Sequence, residues 1–150
     1  MTQTTILLAD DHTIVRRGLR AMLEAEEDFA VIGEAASGLE VADQVDRLKP
    51  DVLVLDIMMP GLNGLQVTRK VSQGSPRTRI VILSTYSNEA YVSEALKSGA
   101  AGYVLKAAST AELVHAVRAV VAGGRYLSPP LSELAIEAYL KKTLPNPVDL

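Results

Sequence analysis

Three features of the chain predict a doubly wound α/β fold. Short apolar runs alternate with amphipathic stretches five times along the 150 residues. The stretches between the runs carry helical rather than strand periodicity, which is the pattern of βαβ units. One run, Val52-Leu53-Val54-Leu55, is apolar at every position, as a parallel strand covered on both faces must be. A chain of this length also suits a single core.

Residues 5–9 form the first run and end at Asp10-Asp11; Val15, Leu19, Met22 and Leu23 then recur at helical spacing to about Glu26. A second strand is expected over 29–35 and a second helix over 39–48, stopped by Pro50, which disfavours helix in the residue before it. The third strand, 51–56, leads into the turn-rich Met58-Met59-Pro60-Gly61-Leu62-Asn63-Gly64 and a helix over about 65–72, closed by Gly74-Ser75-Pro76. Residues 79–83, 88–97 and 102–105 supply strand, helix and strand, with Gly99 capping the helix. Ser109-Thr110-Ala111-Glu112 has the form of a capping box and opens a fifth helix running to about Ala122, before Gly123-Gly124. Right-handed crossovers in such a chain give the flavodoxin-like (βα)5 strand order 2-1-3-4-5, with a cleft at the carboxyl ends of strands one and three. Residues 1–124 therefore read as one domain. Residues 125–150 read as a linker: Ser128-Pro129-Pro130 breaks the chain, a helix is expected at about 131–142, and Pro145 and Pro147 end it.

Composition narrows the function. With 48% apolar and 22% charged residues the chain is an ordinary globular sequence, not a disordered or low-complexity one. The absence of cysteine removes disulfide scaffolds, thiolate zinc sites and cysteine nucleophiles, and fits a reducing, cytoplasmic setting. Apolar stretches are interrupted well short of the roughly 20 residues that span a bilayer, and residues 1–5 lack the basic and apolar regions of a secretory signal, so no membrane partner is expected. A net charge of −3 argues against sequence-independent nucleic-acid binding, which depends on neutralising phosphates.

The candidate chemistry lies at the strand ends. Asp10 and Asp11 follow strand one and Asp56 ends strand three, and the strand order makes these ends neighbours. Three clustered carboxylates repel one another and are costly to desolvate, so a divalent cation is expected among them. Oxygen ligands without thiolate select a hard ion, Mg2+ first. Helix capping would account for Asp10 or Asp11 but not for Asp56, which precedes Met58-Met59-Pro60. Ser84 lies just past strand four and Lys106 just past strand five, at the same edge. Singly they read as a turn residue and a solvated charge. Together with the carboxylates they suit a phosphoryl group, with the cation, the amine and the hydroxyl on its oxygens and a carboxylate as nucleophile.

These residues resemble the receiver domain of two-component response regulators, over residues 5 to about 123. Asp10-Asp11 is similar to the family's acidic pair, Asp56 in Leu55-Asp56-Ile57-Met58-Met59-Pro60 to its phosphoaccepting aspartate, Ser84 to its hydroxyl switch and Lys106 to its lysine. The intervals of 28 residues from Asp56 to Ser84 and 22 from Ser84 to Lys106 are family-like, and Tyr103 matches the rotating aromatic. The run from Gly99 to Lys106 and the tail look most like the subfamily with a LuxR-type helix-turn-helix output, a DNA-binding domain missing from these residues. The resemblance implies phosphoryl transfer from a sensor histidine kinase to Asp56. It implies Mg2+ on Asp11, Asp56 and the backbone carbonyl of Met58, with Asp10 acting partly through water. Ser84 would move toward the phosphate, Tyr103 would swing inward, and a homodimer would form to control transcription. Such a protein is not a conventional enzyme. A stand-alone docking module independent of phosphate is the alternative.

Other readings fit less well. A phosphatase using Asp56 as nucleophile wants an acid two residues on, where Met58 stands. A flavin phosphate would be repelled by Asp10-Asp11. Met58 and Tyr86, each two residues past a site residue, are poor at positioning water, so slow self-dephosphorylation is expected; Ala107 after Lys106 also departs from the family pattern. His12 beside Asp11 is a candidate metal ligand, but imidazole suits softer ions and the carboxylates already supply the site, so it reads as a first-turn helix residue; His115 reads as a solvated or interface position, and Arg16, Arg17 and Arg20 as a solvated basic face. Leu113, Val117, Val120 and Val121 read mainly as core.

Overall fold

The computed structural model describes residues 3–59, 63–106, 110–128 and 131 of the chain. Six strands, β1 (Thr4–Ala9), β2 (Phe29–Ala35), β3 (Val52–Asp56), β4 (Arg79–Ser84), β5 (Gly102–Leu105) and β6 (Tyr126–Leu127), form one parallel sheet in the order β2-β1-β3-β4-β5-β6. The connecting helices are α1 (Thr13–Glu24), α2 (Gly38–Leu48), α3 (Gly64–Gly74), α4 (Glu89–Lys97) and α5 (Thr110–Val121). The flavodoxin-like order expected for the first five strands is present. The sixth strand is an addition: residues expected to open a linker instead pair with β5, Gly102 opposite Tyr126 and Tyr103 opposite Leu127.

The period of two along a strand divides the core between the two faces of the sheet. Leu7, Leu53, Leu55, Ile80, Ile82 and Tyr103 pack with side chains of α2, α3 and α4. Their neighbours Ile6, Leu8, Val52, Val54, Val81 and Val104 pack with Leu23 of α1 and with Leu113, Ala116, Val117 and Val120 of α5. All of β3 is buried, as its uninterrupted apolar run requires. Fully burying one such side chain stabilises the fold by about 1.5–3 kcal/mol. The β1–β2 register shifts between Ile6 and Leu7, so Ile32 is passed over and left partly exposed while Ala35 returns to the core.

Helix ends are set by particular residues. Asn63 caps α3 in a capping box: its Oδ1 accepts from the Leu65 N–H at 2.8 Å, and its own N–H donates to Gln66 Oε1 at 3.3 Å. Asn88 accepts from the N–H groups of Ala90 and Tyr91 at the start of α4. After α4 the chain turns through Gly99 at φ +116°, where a Cβ would lie 2.3 Å from Ser72 Oγ, so both conformation and space require glycine. The capping box expected at Ser109 and the helix expected at 131–142 fall outside the described residues, apart from the start of α5 and Leu131.

Two of the arginines expected to form a solvated face are instead structural. Arg16 Nε donates to Glu34 Oε1 at 2.7 Å and Arg20 Nη1 donates to Glu34 Oε2, tying α1 to β2. Arg20, and after it Arg16, holds the Glu34 carboxyl below its ordinary value of 4.5. An acid depressed in this way adds stability above its unfolded pKa and loses it as pH falls through the lower folded value. Glu34→Gln is therefore expected to cost about 1 kcal/mol at neutral pH. Urea titrations should show that difference shrinking as pH drops below 4.5, and a constant difference across that range would refute the assignment.

The segment after β6 is tied back to β5. Ser128 is fully buried; its N–H donates to the Tyr103 carbonyl at 3.0 Å, its Oγ accepts from the Leu105 N–H at 2.9 Å, and its carbonyl accepts from the Leu131 N–H at 2.8 Å. Leu131 lies in the same core as Tyr103. On the helix side, His115 of α5 stacks edge-on against Tyr126 at 5.4 Å.

Candidate functional site

Because every strand is parallel and β3 lies between β1 and β4, the carboxyl ends of four strands meet at one edge. Asp10 follows β1, Asp56 ends β3, Ser84 ends β4 and Lys106 follows β5. Asp10, Asp56 and Ser84 are fully buried, while Asp11 and Lys106 are partly exposed. Asp56 is held at both oxygens: Oδ1 accepts from the Met58 N–H at 3.0 Å and Oδ2 accepts from Lys106 Nζ at 2.9 Å. The backbone just after it has no slack, since a Cβ on Gly64 would come within 2.4 Å of Ile57 Cγ1 and 2.8 Å of the Ile57 carbonyl oxygen.

Asp10 Oδ1 accepts from the His12 N–H at 2.8 Å, and the Asp10 carbonyl accepts from Arg16 Nη1 at 2.6 Å. Burial, reinforced by the nearby Asp56 charge, raises the Asp10 carboxyl above its ordinary value. These aspartates do not cap α1, whose N-cap residue is His12 and whose N-terminus has no side-chain cap bond. Two buried oxygens, Asp10 Oδ2 and Asp11 Oδ1, have no hydrogen-bond partner among the described residues. One ligand atom from each of Asp10, Asp11, His12 and Asp56 falls within 4.8 Å of the others. A divalent cation fits this donor set. It would neutralise the clustered carboxylates and satisfy the oxygens that no donor among the described residues reaches.

Ser84 Oγ accepts from the Tyr86 N–H at 2.9 Å. Tyr103 is fully buried, and its hydroxyl donates to the Tyr86 carbonyl at 2.8 Å. Burial pushes the Tyr103 hydroxyl up to about 12, partly offset by a hydrogen bond with Ser84. The Tyr103 ring stands in the inner position in this structure. Met58 and Tyr86 stand half-exposed, and Ala107 lies outside the described residues. Beside the cluster, a cavity of about 370 Å3 opens between α1 and α5, walled by Val15, Leu19, Met22 and Leu113, with Asp10 and Lys106 at its polar end.

Residues 6–118 match the family model of the response regulator receiver domain. The chain belongs to that family. The receiver is 38% identical over 146 residues to response regulator GacA of Pseudomonas viridiflava, a match spanning 97% of this chain and 68% of the relative. It is 38% identical to oxygen regulatory protein NreC of Staphylococcus carnosus, over 92% of this chain and 64% of that one. Among solved structures, a LuxR-family two-component response regulator from Aurantimonas sp. SI85-9A1 aligns with a TM-score of 0.82 at 35% identity, over 94% of this chain and 97% of that chain. The receiver domain of a NarL response regulator from Mycobacterium tuberculosis aligns at 0.78 and 33% identity, over 82% and 99%. Among the receiver's described residues no helix is long and apolar enough to cross a membrane.

The receiver's fold thus brings Asp10, Asp11, Asp56, Ser84 and Lys106 to one edge, as their positions in sequence predict, with Tyr103 buried behind them in β5. Sequence reasoning discounted the His12 ring among the carboxylates, and it missed the Arg16 bond to the Asp10 carbonyl and the Ser128 contacts that hold β5. The only sequence signal for His12 was its adjacency to Asp11.

Proposed function

We infer that the receiver accepts a phosphoryl group on Asp56 from a phosphohistidine of a sensor histidine kinase. The observation that carries this reading is the Asp56 carboxylate, buried yet paired at 2.9 Å with Lys106 Nζ and set within a cluster of unpartnered acid oxygens. The carboxylate attacks phosphorus, the bond from phosphorus to the histidine nitrogen breaks, and the departing imidazole keeps the nitrogen electron pair. Lys106 Nζ moves from the carboxylate to a phosphoryl oxygen, a charge-assisted contact that strengthens as charge develops there. The Ser84 hydroxyl, whose oxygen is anchored by the Tyr86 N–H, donates its proton toward a second phosphoryl oxygen. Mg2+ suits the remaining donors: Asp11 and Asp56 directly, the Met58 carbonyl as third protein ligand, and Asp10 partly through water. When bound, the ion neutralises the incoming phosphoryl charge.

Phosphorylation adds close to two negative charges at the end of β3. In this reading they draw Ser84 inward and favour a homodimer, which acts on DNA through a helix-turn-helix domain joined beyond residues 125–150. The regulatory names of GacA and NreC, and their length beyond the matched region, support that placement. Side chains unable to orient water at Met58 and Tyr86 support slow self-dephosphorylation. One observation favours the second reading, a docking module independent of phosphate: Tyr103 is already fully buried.

Intact-protein mass after incubation with Mg2+ and acetyl phosphate separates the two. A single phosphoryl adduct, stable to acid and labile to base, is expected. No adduct on folded protein would leave the docking module.

A further inference from the structure

We propose that His12 is a ligand of the bound cation, and that its imidazole shifts the receiver's preference from Mg2+ toward first-row transition ions such as Co2+ and Mn2+. The inference rests on the reading of the acidic cluster as a cation seat. His12 Nδ1 lies 3.2 Å from Asp10 Oδ1, 3.1 Å from Asp11 Oδ1 and 4.0 Å from Asp56 Oδ2. Two atoms bound to one cation at about 2.1 Å stand roughly 3.0 Å apart when adjacent and roughly 4.2 Å apart when opposite in an octahedron. The contact with Asp10 is a hydrogen bond of the ring, while the distances to Asp11 and Asp56 are those of one adjacent ligand and one nearly opposite ligand.

A second observation points into the same space. Asp10 is fully buried, and its Oδ2 has no partner among the described residues. Asp11 Oδ1 also makes no hydrogen bond, although His12 Nδ1 is 3.1 Å away, so ring and carboxylate converge there without a proton aligned between them. The root of the ring is fixed as well. The His12 N–H donates to Asp10 Oδ1, and the extended backbone of this N-cap residue, at φ −91° and ψ 106°, turns it out of the helix toward the strand ends.

The chemical consequence follows from ligand type. Carboxylate and carbonyl oxygens suit Mg2+, which dehydrates reluctantly and gains little from a nitrogen donor. Imidazole raises affinity along the series from Mn2+ through Co2+ to Ni2+ and Cu2+. The chain has two histidines and no cysteine, so a nitrogen-ligand signal from untagged protein has few possible sources. His115, stacked on Tyr126 of the last strand, is the internal control.

Calorimetric titration with Co2+ and with Mg2+ tests the proposal on the natural chain, His12→Leu and His115→Leu. The natural chain is expected to bind Co2+ more tightly than Mg2+. His12→Leu should lose about tenfold or more in Co2+ affinity while Mg2+ affinity stays within about twofold, as expected of a hard ion held by oxygens. The visible Co2+ spectrum should change in His12→Leu and not in His115→Leu. His12 is mostly exposed and makes no side-chain cap bond, so thermal melting should show the variant folded. Co2+ affinity unchanged by His12→Leu, with Mg2+ still bound, overturns the role of His12 alone. Failure of folded natural protein to bind either ion overturns the cation seat itself.

Discussion

Asp56→Asn is expected to form no phosphoryl adduct where the natural chain does, a loss in rate of about a thousandfold or more. The substitution is nearly isosteric, so the result isolates chemistry from packing. The amide oxygen can keep the bond from the Met58 N–H, which the natural Oδ1 accepts at 3.0 Å. The amide nitrogen then faces Lys106 Nζ, which sits 2.9 Å from the natural Oδ2, and two donors oppose each other. The variant thus loses its nucleophile and releases Lys106 in one step. It also removes the charge that helps to raise the Asp10 carboxyl, so Asp10 should titrate lower in the variant. Intact mass and carboxyl NMR read the two effects separately. An acid-stable adduct surviving on Asp56→Asn would place the phosphoacceptor elsewhere.

Leu53→Ala should lower unfolding free energy by about 3 kcal/mol and the melting temperature by roughly 6–12 °C. Leu53 has no exposed surface and is the second residue of β3, opposite Leu7 of β1 and Ile80 of β4. Strand backbones on both sides limit collapse into the void, so the cavity term adds to the lost transfer energy. Asp56 lies at the far end of the same strand. The variant should therefore still accept a phosphoryl group well below its melting temperature. A loss under about 1 kcal/mol in denaturant titration would mean that the core around β3 relaxes freely, contrary to close packing.

The five principal strands were legible because their side chains report burial directly. A run apolar at every position, like β3, has no amphipathic alternative, and Asp10, Asp56, Ser84 and Lys106 follow those runs at positions that parallel strands bring together. What escaped depended on contacts between residues far apart in sequence or on segments too short for a period to register. Tyr126-Leu127 is two residues, and only its pairing with Gly102 and Tyr103 makes it a strand. Arg16 and Arg20 looked like a solvated face because Glu34 is 18 and 14 residues away from them. The position of Tyr103 depends on the Tyr86 carbonyl, 17 residues earlier, a backbone acceptor that no side-chain pattern announces. His12 looked ordinary because sequence adjacency does not say where a ring points.

The parallel sense of β6 determines the chain's point of departure. A hairpin strand would have returned the polypeptide to the opposite rim of the sheet; this one delivers Ser128 to the rim that carries Asp56, with its hydroxyl on the amide of Leu105, the residue before Lys106. Neighbouring strands lie about 4.8 Å apart. Ser128 therefore stands about one strand's width from Leu105, and the end of β6 is tied directly to the segment that carries the lysine into the site.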